Sequence, residues 1–220
     1  MAIQTNLSKI KTQLPSNVTL VAVSKTKSVE DMMQAYLSGQ RIFGENKIQE
    51  MTEKHQKMPK DIQWHMIGNI QRNKVKYMAS YVDLVHGVDS FKLLNEINKQ
   101  AEKNKRIIKC LIQIKIAQED TKFGISYEEA KIMLRSEEVK KLNNIEIVGV
   151  MGMASYTQDK IQIKKEFKTL KINFDNLKKI AKNLMILSMG MSGDYTLAIE
   201  NGSTMIRLGS SIFGTRNYTN

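Results

Sequence analysis

The regular alternation of short apolar runs with helical patterns is the feature that most constrains the fold of this 220-residue chain. Eight runs are typical of strands because they are short, rich in β-branched or apolar residues, and often end in Gly, Ser or another polar residue. These runs are residues 19–24, 41–44, 62–68, 84–88, 110–116, 145–153, 184–191 and 205–209. Helical patterns lie between them, at residues 28–37, 47–56, 71–80, 90–105, 126–138, 158–183 and 192–200.

Eight such alternations predict an α/β fold, a single (β/α)8 barrel of the TIM type. Such barrels typically have about 250 residues, so an open doubly wound sheet remains the alternative. No G-x-G-x-x-G follows the first run, which disfavours a dinucleotide-binding half. No linker divides the sequence, and we expect one domain over residues 1–220 that begins with an amphipathic helix at about 3–14.

The charge of the chain is consistent with several classes of partner. Lys and Arg number 34 against 22 Asp and Glu, a formal charge of +12 that would attract nucleic acid, anionic membrane or phosphorylated small molecules. The densest lysine stretch, Lys160–Lys182, also carries apolar residues at spacings of three and four, which indicates an outer helix with a solvated lysine face. No arginine-rich cluster or zinc-finger spacing accompanies the charge, so we expect no nucleic-acid partner.

The cysteine count, the length of the apolar runs and the histidine spacing indicate the compartment and bear on membrane and metal binding. The single cysteine, Cys110, excludes an internal disulfide framework and favours a reducing compartment. No apolar run approaches the roughly 18 residues that span a bilayer, so we expect a cytoplasmic protein without a membrane partner. The histidines and acids show no metal-ligand spacing, and we expect no metal site. His65 and His86 are more typical of structural hydrogen-bond partners than of acid–base groups.

A lysine follows the first strand-like run. Barrels carry their functional residues at the C-terminal ends of their strands, and Lys25 comes directly after residues 19–24. A lysine that is partly desolvated there has a lowered pKa, and its free amine can attack an aldehyde to form a Schiff base. On spacing alone, a lysine that simply extends to water is the favoured interpretation.

The loops near the end of the chain favour the reactive-lysine interpretation instead. The loops after strands seven and eight of a barrel commonly bind phosphate, and here they contain LSMGMSGD (187–194) and RLGSSIFGTR (207–216). Their glycines permit close backbone approach, and their serines offer hydroxyls. Ser192 is also a candidate N-cap for the helix that ends at Glu200. A phosphate site and a reactive lysine on one rim point to a phosphorylated aldehyde, and pyridoxal 5′-phosphate (PLP) is the candidate cofactor.

Six segments, in order from Val21 to Arg216, resemble the YggS/PROSC family of pyridoxal phosphate homeostasis proteins. They are VAVSKTK (21–27), FGENKIQE (43–50), WHMIGNIQRNK (64–74), KFGIS (122–126), GVMGM (149–153) and residues 187–216. Each segment alone is short, but six in sequence cover nearly the whole chain. Ser28 and Lys47 stand where the family often has a proline and an aromatic residue.

The resemblance implies a barrel like the N-terminal domain of alanine racemase, with PLP held as a Schiff base on Lys25. It implies that the phosphate lies around Ser192 and the backbone of the eighth loop, and that Arg207 approaches the pyridine nitrogen. The implied cofactor-binding residues are Lys25, Asn46, Met191, Ser192, Arg207, Gly209 and Ser210.

Three functions remain open. A guanidinium beside the ring nitrogen discourages its protonation, which weakens PLP as an electron sink. We therefore expect a carrier or buffer in intracellular PLP homeostasis, without established catalysis. It would bind PLP and related B6 vitamers as a monomer, with PLP-dependent apo-enzymes as recipients. The alternative is a low-activity PLP-dependent amino-acid racemase, for which Tyr156 and Tyr195 lie near the expected rim. A basic RNA-binding domain rests on charge alone.

Overall fold

The computed structural model describes residues 2–119 and 123–214, and its eight parallel strands close into a barrel in chain order. β1 pairs with β8 in parallel, with Val21 opposite Arg207, so neither end of the sheet is left as an open edge. The predicted barrel is thereby confirmed over the open sheet. The strands are β1 (Thr19–Val23), β2 (Ile42–Glu45), β3 (Gln63–Met66), β4 (Val82–Val88), β5 (Ile108–Gln113), β6 (Ile145–Met151), β7 (Ile186–Ser188) and β8 (Met205–Leu208).

The first helix precedes β1, the other helices follow strands, and they lie on the outside of the barrel. They are α1 (Ala2–Gln13), α2 (Val29–Leu37), α3 (Ile48–Lys57), a 3₁₀ helix (Arg72–Tyr77), α4 (Phe91–Lys103), α5 (Tyr127–Arg135), α6 (Glu137–Lys140), α7 (Lys160–Ile180), α8 (Tyr195–Glu200) and α9 (Ser210–Phe213). The lysine-rich helix is α7, which buries Phe167, Leu170, Phe174 and Leu177 as its apolar spacing predicted. Among the described residues, no helix is both long enough and apolar enough to cross a bilayer.

Several element predictions differ from the structure: the helix predicted at 71–80 is a 3₁₀ helix over Arg72–Tyr77, and the helix predicted at 192–200 begins at Tyr195. The helix predicted at 126–138 is divided into α5 and α6 because Ser136 is extended, with φ −63° and ψ 129°. Its hydroxyl accepts a hydrogen bond from the Glu138 N–H and so caps the second helix. The strand predicted at 184–191 is only three residues long, Ile186–Ser188. Gly190 lies two residues beyond it with a φ of +99°, a left-handed conformation outside the extended range, although its carbonyl still accepts from the Arg207 N–H at 3.0 Å.

The strands bury side chains on both faces, as parallel barrel strands do. Six buried residues form the inward cluster: Val21, Leu84, Leu111, Val148, Met151 and Met205. The larger cluster lies between the strands and the helices, and Trp64 and Cys110 belong to it. Since side chains alternate along a strand, polar residues that share the inward face lie above or below the inward cluster.

Candidate functional site

A cleft of about 880 Å³ opens at the C-terminal end of the barrel. Clefts of this size are typical of small-molecule sites. All the residues that the sequence nominated for cofactor binding line it: Lys25, Asn46, Met191, Ser192, Arg207, Gly209 and Ser210. They come from the ends of β1, β2, β7 and β8, so the closure of the barrel brings together segments that are far apart in the chain.

Lys25 reaches the cleft by the alternation of β1. Val21 belongs to the inward cluster and Val23 lines the cleft, so stepping by two along the strand direction brings Lys25 to the same side. Lys25 is half-buried and follows the fully buried Ser24. The next residue, Thr26, has a φ of +62°, in the left-handed region of backbone conformation.

Backbone amides converge beside Ser192. The N–H groups of Gly209 and Ser211 donate to the Ser192 hydroxyl oxygen, at 3.2 and 3.3 Å respectively. A Cβ on Gly209 would lie 3.4 Å from the Val23 carbonyl oxygen, which is an ordinary van der Waals contact. Two amides, a hydroxyl and an open glycine at the start of a helical turn are the groups that a phosphate dianion needs. The residues present therefore fit a phosphate at this point.

Ser192 does not cap α8, so this alternative is wrong. The N-cap position is Asp194, and α8 begins at Tyr195. Ser192 lies too far before the helix for its hydroxyl to reach the first helical amides. Its oxygen instead accepts from the loop between β8 and α9. Ser192 thus joins the two loops that the sequence predicted to hold phosphate.

The wall beside Asn46 is made of backbone. A Cβ on Gly68 would lie 2.3 Å from the Asn46 carbonyl oxygen, and one on Gly87 would lie 2.7 Å from the Gly68 carbonyl oxygen. The ends of β2, β3 and β4 are therefore packed closely enough that side chains are excluded at these positions. Asn46 is half-buried at the edge of this wall, where its side chain lines the cleft.

Arg207 lies at the end of a buried hydrogen-bonded chain that crosses the barrel. Its Nη1 donates to the Ser188 hydroxyl at 2.6 Å, and its Nη2 donates to the Gly152 carbonyl at 3.2 Å. Ser188 Oγ lies 3.2 Å from His86 Nδ1, and His86 Nε2 lies 3.1 Å from His65 Nδ1. A guanidinium only donates, so the Ser188 oxygen accepts from Arg207, whereas the directions of the two histidine hydrogen bonds depend on which imidazole nitrogens carry hydrogen.

Burial determines the charge states of Arg207, His86 and His65. Desolvation lowers the pKa of Arg207 to about 10, with the nearby Asp194 carboxylate acting in the opposite direction. Desolvation lowers the pKa of His65 to about 3. The pKa of His86 is also well below its usual value, because of burial first and then the neighbouring His65 and Arg207. At neutral pH the guanidinium is charged and both imidazoles are neutral, which agrees with the structural role predicted for the two histidines.

Sequence reasoning missed the residues that hold Arg207 and Lys25 in place. The signal for Ser188 was present, since it is a polar residue between Leu187 and Met189, both of which belong to the outer cluster. A polar residue between two outward-facing apolar residues must point into the barrel. Two charged residues under Lys25, Glu45 and Lys54, gave no such local signal because their pairing joins a strand to a helix.

Comparison with known proteins identifies the family of this cleft-bearing barrel. The sequence model of the family described as "Alanine racemase, N-terminal domain" matches residues 1–217. A pyridoxal phosphate homeostasis protein of Vibrio alginolyticus is 37% identical over 233 residues, which covers 99% of each chain. The chain belongs to the pyridoxal phosphate homeostasis protein family. A second relative of that name, from Pasteurella multocida, is 37% identical over 234 residues and the whole of both chains. The resemblance inferred from the six sequence segments is confirmed.

Solved structures of similar proteins share the barrel. PipY of Synechococcus elongatus PCC7942, solved with PLP bound, superposes with a TM-score of 0.88 at 31% identity, over 96% of this chain and all of that one. The same protein without PLP gives a TM-score of 0.90 at 32% identity. An alanine racemase of Clostridium difficile shares the fold at a TM-score of 0.80 and 17% identity, and the match spans 57% of that longer chain.

Proposed function

We propose that this member of the pyridoxal phosphate homeostasis protein family binds PLP in the barrel cleft, as a Schiff base on Lys25, and carries or buffers it inside the cell. The observation that carries the proposal is that the Lys25 amine and the phosphate-binding groups around Ser192 lie on one cleft. Lys25 follows the first strand, whereas Ser192, Gly209 and Ser210 follow the last two strands, yet all four line this cleft. The family relationship and the PLP-bound PipY structure support the same ligand.

Each group of the cleft would act on a different part of the ligand. The amides of Gly209 and Ser211 and the hydroxyl of Ser192 would bind the phosphate. Arg207, held by Ser188, would present a fixed positive charge to the pyridine ring. The aldehyde of PLP condenses reversibly with primary amines and releases water. Lys25 supplies such an amine, and an incoming amine can take its place, which suits a carrier that must release its cargo.

The carrier role is favoured over the low-activity racemase. Racemisation removes a proton from one face of the substrate and returns it on the other, so it needs a base besides the lysine. Among the described residues, Tyr156 is the tyrosine that lines the cleft, and it is 94% exposed. A phenol so exposed has no partner geometry that fixes it over a ligand, whereas a carrier needs no second base.

The proposal extends to the partners and setting of the protein. We expect related B6 vitamers that carry a phosphate to bind the same cradle, and PLP-dependent apo-enzymes to receive PLP from a monomeric carrier in the cytoplasm. The chain 1–220 would act as one domain. Transfer is tested by mixing the PLP-loaded protein with an apo-enzyme and following recovery of that enzyme's activity, with free PLP at the same concentration as the control.

The ligand is tested by the visible absorption of the purified protein during titration with PLP. The proposal predicts a band characteristic of a PLP Schiff base in the unsubstituted protein and its loss in Lys25→Ala. A matched control is Lys57→Ala, which removes an exposed lysine from α3. An unchanged band in Lys25→Ala would contradict the attachment site, and no band in any variant would contradict PLP as the ligand.

A further inference from the structure

A buried cluster of charged side chains lies directly beneath Lys25. Glu45, the last residue of β2, is fully buried, and the side chain of Lys54 on α3 is 8% exposed. The Lys54 ammonium contacts the Glu45 carboxylate at 2.8 Å and the Glu50 carboxylate at 2.7 Å. None of these three residues lines the cleft. The Lys54–Glu45 pair is buried away from the cleft and so differs from exposed ion pairs, which contribute little to stability.

The cluster binds the backbone on both sides of Lys25. On the N-terminal side, the Ser24 carbonyl accepts from Lys54 Nζ at 2.7 Å, and the Ser24 hydroxyl donates to Glu45 Oε1 at 2.6 Å. On the C-terminal side, the Thr26 N–H donates to Glu50 Oε1 at 2.6 Å. The two peptide groups that flank Lys25 are therefore each held by a charged side chain. Hydrogen bonds to charged groups are stronger than those between neutral groups.

The conformation held by these contacts is one that the chain would not adopt unaided. Thr26 has a φ of +62°, which is unfavourable for a β-branched residue. Such strain persists only where surrounding contacts over-determine it, and it concentrates at functional sites. All three N–H donors of the Lys54 ammonium are engaged, by Ser24, Glu45 and Glu50. The arrangement is thus a rigid support for one turn of backbone.

We propose that Glu45, Glu50 and Lys54 are positioning residues that fix the backbone around Lys25 and so aim its amine at the cleft. This inference rests on the proposed function of Lys25. The cluster contacts neither Arg207 nor the phosphate-binding groups, which are Ser192 and the amides of Gly209 and Ser211. Its loss therefore separates covalent attachment from reversible binding. Attachment to Lys25 slows, because the amine is no longer held at the aldehyde, whereas binding through the phosphate is unchanged. Misplacement of a reacting group by about 1 Å can lower a rate by a factor of about 100.

Substitution at Glu50 tests the inference with the least damage to the fold. Lys54→Met would leave two carboxylates facing each other in a buried place, which strongly destabilises a protein. Glu50 is more exposed, at 24%, and its removal leaves Lys54 paired with Glu45. Glu50→Ala deletes the acceptor of the Thr26 N–H, whereas Glu50→Gln keeps an oxygen there. Glu53→Ala, at an exposed position of the same helix, is the matched control.

Two ligands separate attachment from reversible binding. PLP reports attachment through the rate of appearance of its visible band. Pyridoxine 5′-phosphate has the ring and the phosphate but no aldehyde, so its affinity does not depend on an amine. We expect Glu50→Ala to slow PLP attachment at least about tenfold, with the affinity for pyridoxine 5′-phosphate unchanged within a factor of two. Glu50→Gln should recover most of the rate, and Glu53→Ala should match the unsubstituted protein.

A measurement without any cofactor keeps the inference separate from the proposed function. Reductive methylation with formaldehyde and cyanoborohydride, followed by peptide mapping, gives the reactivity of Lys25 relative to exposed lysines. We expect that relative reactivity to change in Glu50→Ala and to remain in Glu53→Ala. Unchanged PLP attachment and unchanged Lys25 reactivity in Glu50→Ala would overturn the inference, as would an equal loss of pyridoxine 5′-phosphate affinity. Failure of the unsubstituted protein to attach PLP would refute the proposed function, and the methylation result would still decide the role of the cluster.

Discussion

Ser188 links two groups that could not otherwise be buried together. It accepts from the charged Arg207 and lies within hydrogen-bond distance of the neutral His86, so a single hydroxyl satisfies both. All three residues are nearly or fully buried. A buried polar group that loses its partner keeps its desolvation penalty and gains nothing in return. The orientation of Arg207 toward the cleft therefore depends on Ser188, the last residue of β7, which does not itself line the cleft.

The change Ser188→Ala should lower the free energy of unfolding by about 1–3 kcal/mol, because it leaves a guanidinium N–H and an imidazole nitrogen unpaired. Urea denaturation followed by circular dichroism measures the change. The control is Ser8→Ala, at an exposed position of α1, which should stay within about 0.5 kcal/mol of the unsubstituted protein. Equal stability of the two variants would show that the hydroxyl does not hold Arg207.

The ends of β2 and β3 pack against each other through backbone atoms. Gly68 faces the Asn46 carbonyl so closely that no side chain fits between them. The cleft contains a natural contrast, because a Cβ on Gly193 would meet nothing within 4 Å. Both glycines line the cleft, yet only Gly68 is required by the spacing of the strands.

The change Gly68→Ala should destabilise the protein by about 1–3 kcal/mol, because one strand end must move to admit the methyl group. Gly193→Ala should lie within about 0.5 kcal/mol of the unsubstituted protein. Thermal unfolding of the two variants side by side measures this difference. A Gly68→Ala protein as stable as Gly193→Ala would contradict the close contact between β2 and β3.

Some elements can be predicted from the local sequence and others cannot. The strand and helix alternation follows from periodicity, and the apolar stripe of α7 was readable from spacings of three and four. The break at Ser136 was not readable, because a serine inside a helical pattern is equally compatible with an uninterrupted helix. The role of Ser192 as a hydrogen-bond acceptor for the β8–α9 loop required knowledge that β7 and β8 are neighbours.

The two buried, neutral histidines make the stability of the folded barrel depend on pH. His65 and His86 lie on different strands and are joined to Arg207 on a third. Desolvation holds the pKa of His65 at about 3 in the folded protein, whereas an unfolded histidine titrates at about 6.5. Between these values the unfolded chain binds a proton that the folded chain does not. Stability therefore rises with pH across this window and is lost as pH falls through it.

Replacing His65 with asparagine should flatten that dependence. The Asn side-chain amide takes the place of the Nδ1 side of the ring and can donate to or accept from His86 Nε2, but it does not titrate. The free energy of unfolding of the unsubstituted protein should fall by up to about 1.4 kcal/mol per pH unit more steeply than that of His65→Asn between about pH 6 and 4. Urea denaturation at several pH values measures both slopes. Identical slopes would contradict a histidine kept neutral by burial.

The sequence predicted the architecture and the lining of the cleft better than it predicted their supports. The lining residues follow strand ends, and parallel strands of a barrel bring all their C-terminal ends to one face. The supports depend on contacts between distant elements, such as Lys54 of α3 with Ser24 beyond β1. Such pairs depend on how strand and helix pack, which no local pattern records. A lysine and two phosphate-binding loops on one rim pointed to PLP, the family resemblance implied the same cofactor, and the closed barrel explains why these residues can act together.

The most direct test of the central claim is the covalent position of PLP on the chain. The purified protein is incubated with one equivalent of PLP, reduced with borohydride and mapped by peptide mass spectrometry, with Lys25→Ala treated in parallel. The account predicts one phosphopyridoxyl adduct, on the peptide that contains Lys25, and none on the corresponding peptide of the variant. Adducts spread over surface lysines with Lys25 unmodified would contradict it.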